Sequence, residues 1–188
     1  HRKIELHHLG VVPFTEPDDV ADPLDSAEPG GPDPFEVFRR SDYADRTPHL
    51  IEAPFDLELD NGMRVRGRID AVYRDRGRWE IVDFKSGRPK SDPAMDVQLE
   101  TYAVALDRVG VLDDRPTDAV FVYLGGGSLT ERRTSVDDAW MTSANERLHE
   151  LARRIVAEDF SPEPSEACSN CDFLRHCEAG KRFLASRS

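Results

Sequence analysis

The run Glu80-Ile81-Val82-Asp83-Phe84-Lys85-Ser86-Gly87 constrains this chain more than any other stretch. Its apolar start reads as a strand and its Ser-Gly end as a turn. Asp83 and Lys85 stand two residues apart, so strand alternation points both side chains to one face. Thirteen positions before Asp83, Asp70 closes Gly67-Arg68-Ile69-Asp70 on what reads as the preceding strand, with Asp75 to Arg78 as the polar turn between. Two acids and a lysine at the ends of adjacent strands are costly to gather unless something binds them. A divalent cation such as Mg²⁺ or Mn²⁺ suits hard oxygen ligands. An ammonium beside it can orient a water and stabilise charge developing on a phosphate. The pattern points to metal-assisted hydrolysis of a phosphodiester.

Alone, an Asp-x-Lys tripeptide more often just ends a strand. Its surroundings change that reading. A helix is marked from Asp92 to Val109, with Asp92 as cap, Pro93 in the first turn and Gly110 as stop. Val97, Thr101, Val104 and Ala105 share a face, so the helix should pack on the sheet. Gln98 and Tyr102, four apart, are neighbours on a helical face.

With Gly67-Arg68-Ile69-Asp70, Asp83-Phe84-Lys85-Ser86-Gly87 and Gln98-Leu99-Glu100-Thr101-Tyr102, the chain from Ile51 onward resembles the RecB-type branch of the PD-(D/E)xK nucleases. That resemblance implies an α/β fold: a central mixed β-sheet flanked by helices, a restriction-endonuclease-like core. It implies a Mg²⁺- or Mn²⁺-dependent deoxyribonuclease, a single-strand exonuclease module of a bacterial helicase-nuclease in DNA repair or recombination. Asp70, Asp83, the backbone carbonyl of Phe84 and a histidine would hold the metal. Lys85 would position water or stabilise the transition state, since an ammonium has no lone pair to give. Gln98 and Tyr102 would face the site. Glu52 occupies a place where such proteins often carry an acid; a partly exposed strand glutamate is the other reading. The alternative function is a non-catalytic domain of the same fold that holds DNA or a partner subunit, although such a relic has no need of an intact Asp, Asp, Lys set.

The segment before the strands divides in two. Residues 1–10 have helical character, with Ile4 and Leu6 apolar and Gly10 a stop. The resemblance places a metal-binding histidine on a helix there. His1 is favoured, with His7 and His8 as alternatives. Residues 11–34, rich in Pro, Asp, Glu and Gly, read as a solvated acidic loop. Residues 35–160 form the expected nuclease core, opening with a short helix that sets Phe35 and Phe38 on one side. Within it, 50–59, 63–73 and 79–85 read as an antiparallel meander, and TDAVFVYLGGG with SLTERRTSV as a further hairpin. Gly125 to Gly127 read as a turn, because no helix opens after them to cradle phosphate. A long amphipathic helix follows, with Trp140, Ala144, Leu148, Leu151 and Ile155 as its apolar stripe.

Residues 161–188 hold all three cysteines, Cys168, Cys171 and Cys177. An odd count argues against a self-contained disulfide set, and Cys-x-x-Cys argues for metal. His176 can complete a zinc site, but neighbours on a short loop rarely converge on one tetrahedral ion; an iron–sulfur cluster can take its fourth cysteine from elsewhere. The resemblance favours the second: AddAB-type nucleases carry a [4Fe–4S] cluster on three C-terminal cysteines and one upstream. That implies a Cys-rich staple whose fourth ligand lies outside this chain. Arg175, Lys181, Arg182 and Arg187 make the tail basic. An iron–sulfur redox protein has only the cysteines to support it.

A net charge of −12 is unusual for a chain expected to bind DNA. Its distribution explains part of this: residues 14–60 hold fourteen acids against three bases, whereas 64–90 hold nine bases against four acids. The positive excess sits on the candidate site. No apolar run is long enough to span a bilayer and no signal-peptide pattern is present. The expectation is a cytoplasmic piece of something larger, with DNA and a helicase motor, outside the visible chain, as partners.

Overall fold

The computed structural model describes residues 1–10, 33–89 and 93–187. The chain divides into two compact units, residues 1–148 and 149–188. The first holds a five-stranded sheet in the order β1-β2-β3-β4-β5. Its strands are β1 (Leu50–Glu58), β2 (Arg64–Asp75), β3 (Arg78–Lys85), β4 (Asp118–Tyr123) and β5 (Thr130–Ser135). β1, β2 and β3 form the expected antiparallel meander, and β4 with β5 the expected hairpin. β3 and β4 run parallel, which makes the sheet mixed.

Local chemistry accounts for these connections. Asp75 and Arg78 are paired across a two-residue turn in which Arg76 and Gly77 both take positive φ (49° and 82°). That is the geometry that matches strand twist in a tight hairpin. A parallel pair needs a crossover, and α4 (Pro93–Val109) supplies it. The Asp92 cap lies outside the described residues. β3 and β4 are buried along nearly their whole length, as strands covered on both faces should be. β5, Thr-Glu-Arg-Arg-Thr-Ser, is a charged edge that blunts unwanted pairing.

Helices cover the sheet. α1 (Arg2–His8), α2 (Pro34–Arg39) and α3 (Asp42–Asp45) bring Ile4, Val37, Phe38 and Tyr43 against Ala71, Tyr73, Val82, Phe84, Val120 and Val122. The short helix expected around Phe35 and Phe38 is thus two pieces, broken after Arg40 where Ser41 begins the second. Phe38 is fully buried, a burial worth about 2–3 kcal/mol. α4 packs against β1, β3 and β4, burying Leu99, Tyr102, Ala103, Val104, Ala105 and Leu106. α5 (Asp138–Val156) is the expected long helix, but its apolar stripe differs from the expected one. Met141, Ala144, Leu148 and Ala152 are buried while Ile155 is 52% exposed; Ile155 lies in the last turn, where the inward line has moved to Ala152.

At the start of β3, buried acids are matched by arginines. Glu80 lies 2.7 Å from Arg46 and 2.6 Å from Arg133, and Asp118 2.6 Å from Arg78. Each charge taken out of water has a guanidinium to replace it. The other end of β3 is different.

The second unit carries short 3₁₀ turns at Glu166–Asn170 and Leu174–His176, followed by α6 (Glu178–Ala185). Most of the acidic segment expected as a loop, residues 11–32, lies outside the described residues.

Candidate active site

Both ladders of β2 break at Asp70. On one side, Ile51–Ala71 and Ala53–Ile69 are paired but Glu52, facing Asp70 between them, is not. Glu52 has a left-handed φ of 45°, rare for a non-glycine residue, and Arg68 Nη1 donates to its carbonyl at 3.0 Å. On the other side, pairing with β3 stops at Ala71–Val82. One step beyond, the Phe84 amide donates to Asp70 Oδ2 at 3.0 Å instead of to a strand carbonyl. The break frees two acid side chains to turn toward each other.

α1 adds the third member. His1 Nδ1 lies 3.3 Å from Asp70 Oδ2 and 3.6 Å from Glu52 Oε1. Ligand atoms of His1, Glu52 and Asp70 all lie within 4.8 Å of one another. The other two histidines are spent on holding α1 in place. His7 Nε2–H donates to the Ala44 carbonyl at 3.0 Å, and His8 Nε2 is 3.1 Å from the Tyr73 hydroxyl. Burial, aided by His7, holds the pKa of His8 below its ordinary value.

Asp83 and Lys85 stand on the next strand. Asp83 is fully buried. Its Oδ2 is 2.8 Å from Lys85 Nζ, but Oδ1 finds no hydrogen-bond partner among the described residues. Burial, then the charge on Asp70, push its pKa up to about 7, against the pull of Lys85 and His1. A buried carboxylate with a bare oxygen, next to a second acid, is a configuration a cation relieves. The donor set of one imidazole and carboxylates suits Mg²⁺ or Mn²⁺. The residues present fit such an ion. Relative to the expected ligand set, Glu52 joins the group around Asp70 and His1, while Asp83 faces Lys85. Phe84 meets the site through its amide, with its ring in the core.

Lys85 is held from α4. Its Nζ donates to Gln98 Oε1 at 2.8 Å, and Gln98 Nε2 donates to the Tyr102 hydroxyl at 2.8 Å. Burial, then Asp70 and Asp83, hold the Tyr102 phenol well above its usual range, so it stays protonated. Phe55 meets Tyr102 edge-on at 6.0 Å between ring centroids. The structure thus joins the expected Gln98–Tyr102 pair to the lysine in one chain of contacts.

Gly125 is a residue that sequence reasoning passed over as part of a turn. A Cβ there would sit 2.2 Å from the Ser86 carbonyl oxygen and 2.7 Å from the Gly87 carbonyl carbon. The Leu124 and Gly125 amides donate to the carbonyls of Lys85 and Gly87 at 2.8 and 3.1 Å. Only a glycine lets the end of β4 lie this close on the segment that follows the lysine. The signal was present as a glycine directly after an apolar strand, which also marks close backbone approach.

In the second unit, Ser165 N–H donates to Cys168 Sγ at 3.4 Å and Gly180 N–H to Cys177 Sγ at 3.3 Å. A Cβ on Gly180 would lie 3.4 Å from Cys168 Sγ and 3.5 Å from Cys177 Sγ. All three cysteines are free.

A mixed sheet that presents acids and a lysine where its central strands part, backed by Gln98 and Tyr102 from the crossover helix, is an arrangement able to hold a divalent cation beside a phosphate. The chain belongs to the PD-(D/E)XK nuclease superfamily, whose pattern matches residues 31–178. It is 36% identical over 134 residues to the Gene 69 protein of Mycobacterium phage L5, covering 70% of this chain and 45% of that protein. It is 33% identical over 140 residues to the Gene 69 protein of Mycobacterium phage D29, covering 73% and 50%. The chain spans about half the length of these curated relatives. Among solved structures it is similar to SSO0001, with a TM-score of 0.48 and 19% identity over 70% of this chain and 60% of that one. It is also similar to a candidate exonuclease of Eubacterium rectale, at 0.48 and 17% over 77% and 59%. Among the described residues no helix is long and apolar enough to cross a membrane.

Proposed function

We propose that this chain is a divalent-metal-dependent deoxyribonuclease acting on single-stranded DNA from an end. The observation that carries the reading is the pairing of a three-residue ligand group, His1, Glu52 and Asp70, with a buried Asp83–Lys85 pair in which Asp83 Oδ1 has no hydrogen-bond partner among the described residues. When bound, Mg²⁺ or Mn²⁺ supplies Lewis-acid polarisation of the phosphoryl group and acidifies water. The residues of the chain do the rest. Asp83 Oδ2 lies 2.8 Å from Lys85 Nζ, Gln98 fixes the direction of that group, and Tyr102 fixes Gln98. Lys85 orients the attacking water and offsets charge on the transition-state oxygens. Near-complete burial of Asp70 and Asp83 keeps competing water away from these charges.

The tail is proposed to hold an iron–sulfur cluster on Cys168, Cys171 and Cys177. Amide donors to two of the sulfurs favour thiolates. The three sulfurs do not gather within 4.8 Å of one another. A lone tetrahedral zinc, at about 2.3 Å from each sulfur, holds them about 3.8 Å apart; a larger cluster spreads them further. The chain has three cysteines, and a fourth cysteine ligand is proposed to come from outside this segment. A helicase partner, cytoplasmic location and a role in DNA repair or recombination complete the proposal, on the motif resemblance alone.

The test is cleavage of end-labelled single-stranded DNA with Mn²⁺ or Mg²⁺, wild type against Asp83→Ala. Metal-dependent cutting that the variant lacks supports the reading. A folded, metal-loaded wild type that never cuts overturns it.

A further inference from the structure

The outer face of the β1–β2 arm carries a feature the site chemistry does not use. Arg64, Arg66 and Arg68 alternate along β2 and are exposed, while Val65, Gly67 and Ile69 between them turn inward. Their cross-strand neighbours are Glu58, Asp56 and Pro54. The row runs straight into Asp70, two residues past Arg68. Consecutive members stand about 6.6 Å apart, two strand residues at about 3.3 Å each. An unstacked single strand spaces its phosphates at a similar interval, about twice the 3.4 Å per nucleotide of a stacked duplex strand.

Two of these guanidiniums already share an anion. Arg64 grips Asp56 with a two-point fork, Nε to Oδ1 at 3.0 Å and Nη2 to Oδ2 at 2.6 Å. Arg66 Nε reaches the same Oδ2 at 3.0 Å. The side chains of Arg64 and Arg66 are 55% and 67% exposed, so the clamp opens to solvent. A planar fork of this kind accepts a phosphate in the same manner as a carboxylate. In a chain of net charge −12, a row of three arginines in line with the ligand group is a local exception that an approaching polyanion can use.

We infer that Arg64, Arg66 and Arg68 form a track for the phosphate backbone of single-stranded DNA leading to Asp70, with Asp56 as the internal anion that the phosphates displace. The inference rests on the nuclease reading of the site at the end of the track. Asp56 gives it an unusual sign. Removing this carboxylate should strengthen binding, whereas a purely structural ion-pair cluster would gain nothing from its loss.

The experiment measures fluorescence anisotropy of a labelled twenty-nucleotide oligothymidylate with the full chain, in EDTA so that nothing is cut, across a range of NaCl concentrations. Arg68, which also holds Glu52, is left unaltered. Arg64→Gln/Arg66→Gln should weaken binding about tenfold or more at low salt. Its log–log salt slope should be shallower by about 1.4, at about 0.7 per lost phosphate contact. Asp56→Asn should bind several-fold more tightly than wild type. Thermal melting of each variant checks the fold. An unchanged salt slope in the folded double variant, weaker binding by Asp56→Asn, or no binding by wild type overturns the track. A wild type that binds with these slopes yet never cuts with Mn²⁺ overturns the nuclease reading and leaves the track standing. Cutting with no dependence on the arginines in binding does the reverse.

Discussion

Glu52 faces Asp70 across the β1–β2 pair with its backbone in the left-handed region, at a φ of 45°. Holding a non-glycine residue there costs on the order of 1 kcal/mol. The strain coincides with the point where the strand gives up its ladder so that the glutamate can join His1 and Asp70. Glu52→Gly should therefore keep or raise the melting temperature of the metal-free protein by about 2–4 °C. The same change should weaken Mn²⁺ binding roughly tenfold or more. Calorimetric titration and thermal melting on one preparation check both halves. A parallel loss of stability and affinity would show Glu52 to be structural.

Asp83→Asn and Lys85→Ala should each lower cleavage by about 10²–10³-fold or more while leaving the fold intact. Lys85→Arg should fail as well, because a planar guanidinium cannot stand between Asp83 Oδ2 and Gln98 Oε1 as the ammonium does. Single-turnover cleavage, with circular dichroism as the folding control, decides this.

Gly125→Ala forces a methyl into the Ser86–Gly87 backbone. Backbone cannot yield as a side-chain tip does, so the variant should lose about 1–3 kcal/mol. What it keeps of its fold should cut poorly because Lys85 is displaced. Chemical denaturation gives the first number and the cleavage assay the second. Full activity would mean that the lysine does not depend on this contact.

Asp83 produces a pH dependence of definite sign. Its folded pKa of about 7 lies above the ordinary value of 3.8, so between these limits the folded chain binds more protons than the unfolded chain. The metal-free protein should then lose stability as pH rises from about 4 through about 7, by a few kcal/mol at most. Asp83→Asn should lack this component, and the difference between the two isolates it from His8, which acts in the opposite sense. A divalent ion should displace the proton, so Mn²⁺ should bind more tightly as pH rises. Melting curves with EDTA and with Mn²⁺ read both effects.

Anaerobic reconstitution with iron and sulfide, on the longest natural polypeptide that includes this chain, should give the visible absorption of an iron–sulfur cluster. Gly180→Val should reduce cluster retention several-fold without replacing a cysteine, since a Cβ there already meets Leu174 Cδ1 at 3.2 Å and touches the Cys168 and Cys177 sulfurs, and a branched side chain reaches further. Zinc alone bound stoichiometrically would replace the cluster reading.

The sheet and the central residues were legible in the sequence for a plain reason. Strand alternation places Asp83 with Lys85, helical spacing places Gln98 with Tyr102, and turn residues bracket the three meander strands. All of that is short-range information. Glu52 was harder, because nothing at Ile51-Glu52-Ala53 announces a left-handed backbone; that conformation comes from Asp70 and Arg68 across the sheet. Gly125 was missed because its constraint is a different strand end, some forty residues away in sequence. Ile155 was misplaced since a stripe extrapolated along a helix at fixed positions misses the buried line, which runs through Met141, Ala144, Leu148 and Ala152. Buried contact between distant segments is what a local pattern does not carry.

The parallel pairing of β3 with β4 has a consequence for when the chain becomes chemically competent. β2 and β3 can meet early, as a hairpin closed by two residues. Lys85 finds Gln98, however, only after α4 has folded back over the sheet, and its backbone is clamped by Leu124 and Gly125 only once β4 is in register. Long-range parallel contacts of this kind form late, because the loop must be closed before they return anything. A nascent or partly unfolded chain would hold its acids without an aimed lysine. On the proposed nuclease reading, such a chain would reach nucleic acid and leave it uncut, so the topology itself would delay the hazard of cleavage until folding is complete.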